Sequence, residues 1–138
     1  MRFRGLVFTG AIWSLLNSAV FAEIAPNEFS KQFQSCIAQD ASLSTTIDCQ
    51  EREIMQQQDW LKKVMAKHNA EAKDDPKLMA AFKKEEIKYK AYEDALCGGV
   101  IDALIGGAGP GPMMSATNIC LMRLRRDHLI DLERSTQY

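Results

Sequence analysis

The chain has 138 residues, 46% hydrophobic and 25% charged, and a formal net charge of −1. This near balance of charge excludes a general nucleic-acid binder, which needs a net basic face to displace counterions. The length suits one small domain, which buries proportionately less surface than a large one and gains from covalent staples.

Residues 1 to 22, "MRFRGLVFTGAIWSLLNSAVFA", place Arg2 and Arg4 before an apolar stretch that ends in small residues. This three-part pattern predicts a secretory signal cleaved after Ala22, with Val20 at the third position before the cut. Thr9, Ser14 and Asn17 interrupt the apolar part, which falls short of the roughly 20 apolar residues of a membrane span. A periplasmic or secreted chain of residues 23 to 138, not inserted in a membrane, is therefore expected. Cleavage removes two arginines and no acids, leaving 15 basic against 18 acidic side chains. Such a mildly acidic body suits a basic protein partner.

Within the mature part the periodicity predicts an all-α fold, a small antiparallel bundle or hairpin of about four helices, with no strand pattern. Phe29, Phe33 and Ile37 recur at steps of four behind Asn27, an expected N-cap, giving a helix over 27 to 39. A long helix of about 25 residues is expected to open at Ser44 to Thr46, with Thr45 and Asp48 at capping-box spacing. Its stripe would be Ile47, Ile54, Leu61, Val64, Met65 and His68. In "KDDPK", Asp75 is the predicted cap and Pro76 the first residue of a third helix. That helix carries Leu78, Phe82, Tyr89, Tyr92 and Leu96 on one face and should pair antiparallel with the helix before it. The segment 98 to 111 holds six glycines; helix can persist from Val100 to Ile105, but "GGAGPGP" reads as an irregular crossover loop. The last helix is expected from Ser115 or Thr117, with Leu121, Leu124, His128 and Leu132 on its inner face.

Four cysteines, Cys36, Cys49, Cys97 and Cys120, in an exported chain read as two disulfides. Zinc is disfavoured because no CxxC pair exists and neither histidine stands near a cysteine at ligand spacing; no metal and no cofactor is expected. Three pairings are possible, and local closure favours 36 with 49 and 97 with 120, with 49 to 97 as the rival. Each closed loop would add roughly 3 kcal/mol on the chain-entropy model. No catalytic residue is assigned and the chain is not expected to be an enzyme, since no nucleophile, base and orienting acid form a recognisable signature. Glu85, Glu86, Glu93 and Asp94, and likewise Arg123, Arg125 and Arg126, read as solvated faces with local ion pairs. The glycines do not form a phosphate cradle, because no strand precedes them and no GK[ST] follows. Loops commonly carry contacts, so Gly106, Gly107, Gly109, Pro110, Gly111 and Pro112 are the candidate partner-binding residues.

The layout resembles the LprI-like lysozyme-inhibitor family of small exported helical domains. The matching elements are Cys36, "TTIDC" ending at Cys49, Leu61, "YKAYEDALC" with Asp94 and Cys97, Gly106 and Gly107, and "CLMRLRRDHLIDL" from Cys120. Departures include Gln58, Lys62 and Met65 on the long helix, Tyr89 in place of tryptophan, Glu93 in place of arginine, and Arg125 and His128 in place of Thr and Arg. The resemblance implies a divergent member, a disulfide-stapled periplasmic scaffold that inhibits lysozyme by occluding its cleft with the loop from Gly106 to Pro112. The alternative is an envelope-stress or immunity protein that binds a toxin or another envelope protein.

Overall fold

The computed structural model describes residues 29 to 135. The expected signal segment and the Asn27 cap lie outside the described residues. Among those described the fold is all-α, four helical rods without a strand, stapled by two disulfides.

Helix α1 (Lys31–Gln39) begins later than predicted because Ser30 caps it, its hydroxyl accepting the Phe33 N–H at 3.1 Å. The same hydroxyl and the Ser30 N–H both donate to the carboxylate of Glu53, which is buried and so fastens the start of α1 to α2. Helix α2 (Leu43–Glu71), by contrast, starts earlier than the expected Thr45 cap. Ser42 is the N-cap, and Asp40 secures the turn before it by accepting from the Ser42 N–H and from the hydroxyls of Ser42 and Thr45. Hydrogen bonds from Thr45 and Ser42 hold the exposed Asp40 carboxyl below its ordinary range.

Asp75 and Pro76 open α3 (Pro76–Glu93) as the sequence predicts, with Asp75 accepting from the Lys77 and Leu78 N–H groups. The rod does not stop at Cys97. It widens over Asp94–Val100 into a π-helical stretch, continues as α4 (Ile101–Ile105), and closes in a tight turn at Gly106–Ala108. Helix α5 (Pro110–Ser135) starts five residues before Ser115. The loop expected over 106 to 112 is therefore mostly helical. Pro110 and Pro112 fall in the first turn of α5, where amide hydrogens have no intrahelical acceptor to lose. Gly109, with φ of 92°, is the sole break between the tight turn and α5.

The turn at residues 72 to 75 sends α3 back antiparallel to α2, and His68 stacks on Phe82 with ring centroids 4.6 Å apart. Yet α2 packs most extensively against α5, and the two run parallel. Gln50 donates to Ser115 and Gln57 to the Met122 carbonyl, both across 65 residues of sequence. The seam on α5 is Ser115, Asn118, Met122, Leu129 and Leu132, all buried. Leu121, Leu124 and His128, predicted to face inward, are only half-buried beside it. On α3, Leu78 and Tyr92 are likewise exposed rather than inward-facing. Apolar burial falls in two clusters, Phe29, Phe33, Cys49 and Met122 near α1, and Val64, Leu129 and Leu132 farther along.

The cysteines pair as local closure favours: Cys36 with Cys49, Cα atoms 5.8 Å apart, and Cys97 with Cys120 at 5.5 Å. The first ties α1 to α2 and the second ties the widened stretch to α5. No helix among the described residues is long and apolar enough to cross a membrane.

Candidate functional site

Residues 94 to 108 form an arm that leans on α5 and is fixed to it by the Cys97–Cys120 bond. Between arm and helix lies a groove of about 580 Å³. Leu96, Ile101 and Ile105 line it from the arm, Ala116, Ile119 and Leu124 from α5, and among the described residues Arg123 is its one charged lining residue. The widened helix makes this wall. A step of five residues from Leu96 to Ile101 would rotate the side chains about 140° apart in an ordinary helix of 3.6 residues per turn. A π-helical turn absorbs the extra residue, so both side chains reach the groove. Offset by one position, Val100 and Leu104 face solvent, 46% and 73% exposed.

The predicted contact residues border this groove instead of forming a free loop. Gly106 and Gly107 are exposed in the tight turn, Gly109 makes the break, and Pro112 joins Ala108 in the groove lining. Gly111 lies under α2, where a Cβ would meet Leu43 Cδ2 at 3.1 Å. Gly106 sits against Asp102, with Oδ1 3.1 Å from where its Cβ would be.

A second group, between α3 and α5, was not legible as a cluster. Glu93 is 4% exposed, and its carboxylate accepts from Arg125 Nε and Nη2, both at 2.8 Å, and from the Tyr89 hydroxyl at 3.1 Å. Tyr89 in turn stacks on His128, ring centroids 3.6 Å apart and ring planes nearly parallel. His128 Nδ1 lies 3.5 Å from Glu85. These residues therefore correct the expectation that Glu93 and Arg125 are solvated. Burial alone would raise the Glu93 carboxyl, but the Arg125 hydrogen bonds and charge outweigh it and hold Glu93 below the usual carboxylate range. Burial, seconded by the Glu93 charge, pushes the Tyr89 hydroxyl well up. For His128 burial again dominates, lowering its pKa against the opposing charges of Glu85, Asp131 and Glu93. Both oxygens of Glu93 are committed, so the cluster is a strut that locks α3 to α5.

Tyr89, Glu93, Arg125 and His128 thus lie together between α3 and α5. They form one connected contact set. His68, on the predicted stripe of the long helix, is fully buried.

No family model, no curated protein and no solved structure matches this chain. The site must be read from its own geometry.

Proposed function

We propose that this protein is an exported, periplasmic or secreted binding protein that works by steric occlusion, with a lysozyme cleft as the partner that the resemblance implies. The observation that carries the reading is the apolar ridge of Val100 and Leu104 on the braced arm. Leu104 is 73% exposed on an element tied to α5 by a disulfide, and Val100 lies one helical turn before it, so the two present one apolar strip to a partner. Two features support it further. Disulfides belong to oxidising compartments, and an excess of acidic side chains in the mature part would steer a basic partner.

An occluding protein needs a stiff wedge and no chemistry of its own. The arm supplies the wedge, and the Glu93–Arg125 strut keeps the helix beneath it in register. Titration of the oxidised, exported protein against a c-type lysozyme, following cell-wall lysis and heat of binding, tests the reading. Saturable inhibition is expected, and Leu104→Glu and Val100→Glu should each weaken it at least tenfold, about 1.4 kcal/mol, because anchor residues dominate such interfaces. Both positions are exposed, so the fold tolerates the change. Absence of binding at tens of micromolar would reject lysozyme and turn the search to a toxin or another envelope protein, by capture from envelope extract.

A further inference from the structure

The side of α3 that faces away from the bundle carries Ile87, 62% exposed, among the exposed lysines Lys77, Lys83, Lys84, Lys88 and Lys90. We propose that this face docks the protein on a membrane surface of anionic phospholipid, with the lysines against the phosphates and Ile87 entering the head-group layer. This inference does not rest on the occlusion reading.

The helix period makes the face. With 3.6 residues per turn, Lys83, Lys84 and Lys90 fall within about 60° of Ile87, and Lys77 and Lys88 within about 100°. Ala80 and Ala91 lie between them and are also exposed, so the lysine stems have room to lie along the helix. In the same arc the acids are Glu86 at its edge and Asp94 at its end, and positive charge prevails. Glu85 and Glu93 lie on the packed side, against His128 and Arg125. Among the described residues none of the five ammonium groups forms a hydrogen bond or an ion pair; Lys90 adds only to the field that holds Glu93 ionised. Behind the face, the Glu93–Arg125 pair and the Tyr89–His128 stack hold α3 against α5. The lysines therefore stand on a braced rod, spread over about 20 Å of helix, too far apart to close round one small anion.

Three features select a lipid surface over an acidic protein. The cations of the face are all lysine, while the arginines among the described residues lie on α2 and α5. Protein interfaces favour arginine and are depleted in lysine, whereas a hydrated ammonium serves as a point charge toward an array of phosphates. Secondly, one large aliphatic side chain is too little for a protein interface, which centres on a packed, desolvated cluster. Set among lysines, it suits the boundary between head groups and acyl chains. Thirdly, the chain from residue 23 onward has more acids than bases, so an anionic surface repels the body and attracts this face, which fixes one orientation. The contact is docking on a surface, since no helix among the described residues is long and apolar enough to cross a membrane.

The experiment is co-sedimentation of the oxidised, exported protein with vesicles of phosphatidylcholine, either alone or with about one-third phosphatidylglycerol to supply the negative surface. Binding to the anionic vesicles is expected, with binding to the neutral ones weaker by about tenfold or more. It should fall as salt rises from about 0.1 to 1 M, which shortens the Debye length from about 10 to about 3 Å. A lysine near such a surface contributes about fivefold, so Lys83→Gln, Lys84→Gln and Lys90→Gln together should weaken binding about a hundredfold. Lys31→Gln, Lys62→Gln and Lys63→Gln together remove the same charge from α1 and α2 and should change it by less than about threefold. Ile87→Ser should weaken it by about three- to tenfold. All these positions are exposed, so the fold tolerates the changes. Equal binding to neutral vesicles, binding indifferent to salt, or equal loss in the two triple variants would overturn the proposal. So would absence of vesicle binding; capture by polyglutamate that the first triple variant loses would then assign the face to an acidic protein. Lysozyme plays no part in the assay and Val100 and Leu104 are left unchanged, so failure here and failure of the occlusion reading are distinguishable.

Discussion

Glu93 is stable in its buried position only because Arg125 faces it with two donors. A carboxylate stripped of its partner in a nearly dry site carries the full cost of desolvation. Glu93→Gln or Arg125→Met should therefore cost about 3–5 kcal/mol in chemical denaturation, and joint replacement by Leu and Met should return most of it. If both single variants unfold at the wild-type midpoint, the pair is not a strut. His128 gives the same cluster a pH response. Its native pKa lies below the ordinary 6.5, chiefly through burial, although Glu85, Asp131 and Glu93 pull the other way. Between that lowered value and 6.5 the unfolded chain binds more protons than the native one, so stability falls as pH drops through this window. His128→Phe keeps the stack on Tyr89 and should flatten that limb of a stability profile, leaving a deeper loss where Glu93 protonates. Tyr89, held neutral by burial and by Glu93, makes the opposite limb: stability should fall as pH rises above its ordinary 10.0.

Glycines in neighbouring elements should respond to one substitution with opposite signs. Gly98 and Gly99 are helical, with open space where a Cβ would go. Alanine there should raise stability by about 0.5–1 kcal/mol each. Gly109 has φ of 92° and ψ of 169°, a region that side chains resist, and Gly109→Ala should cost about 1–3 kcal/mol. Thermal unfolding of the three single variants checks both signs; a loss at Gly98 and Gly99 would mean that the arm packs more tightly than its open surroundings indicate. Composition concealed this distinction, since "GGAGPGP" reads as loop until it is seen that two prolines fit the first turn of a helix. The parallel seam between α2 and α5 was concealed differently. Its first half is Gln50, Glu53 and Gln57 facing Ser115, Asn118 and Met122, so the stripe that matters is largely polar and a search for apolar periodicity passes over it. By contrast Asp75 with Pro76, and the existence of the long helices, follow from local rules and were legible. Even the strut had a signal. Once Cys97 pairs with Cys120 on antiparallel rods, four residues back along α3 and five forward along α5 bring Glu93 opposite Arg125, and four and three more bring Tyr89 opposite His128.

Among the described residues apolar burial falls in two small clusters where a larger domain would hold one core, and a row of buried polar groups joins them along α2. Such a body leans on its staples, but the two disulfides do unequal work. Helix α1 has nine residues, too few to persist alone, and with Phe29 it covers one cluster through Phe33. Opening Cys36–Cys49 by a double change to alanine removes closure of a short loop, worth about 3 kcal/mol. It also frees the lid of that cluster, so the loss should appear in global unfolding, with a Tm lower by on the order of 10–20 °C. Cys97–Cys120 instead fastens an arm whose outer face is already in solvent, beside helices that the strut and the α2–α5 seam hold independently. Its removal should speed amide exchange across residues 94 to 108 much more than across residues 120 to 132, a local opening below the global one. Hydrogen exchange on the two double variants separates these outcomes. Uniform acceleration along α5 after loss of Cys97–Cys120 would show that the arm is part of the global folding unit.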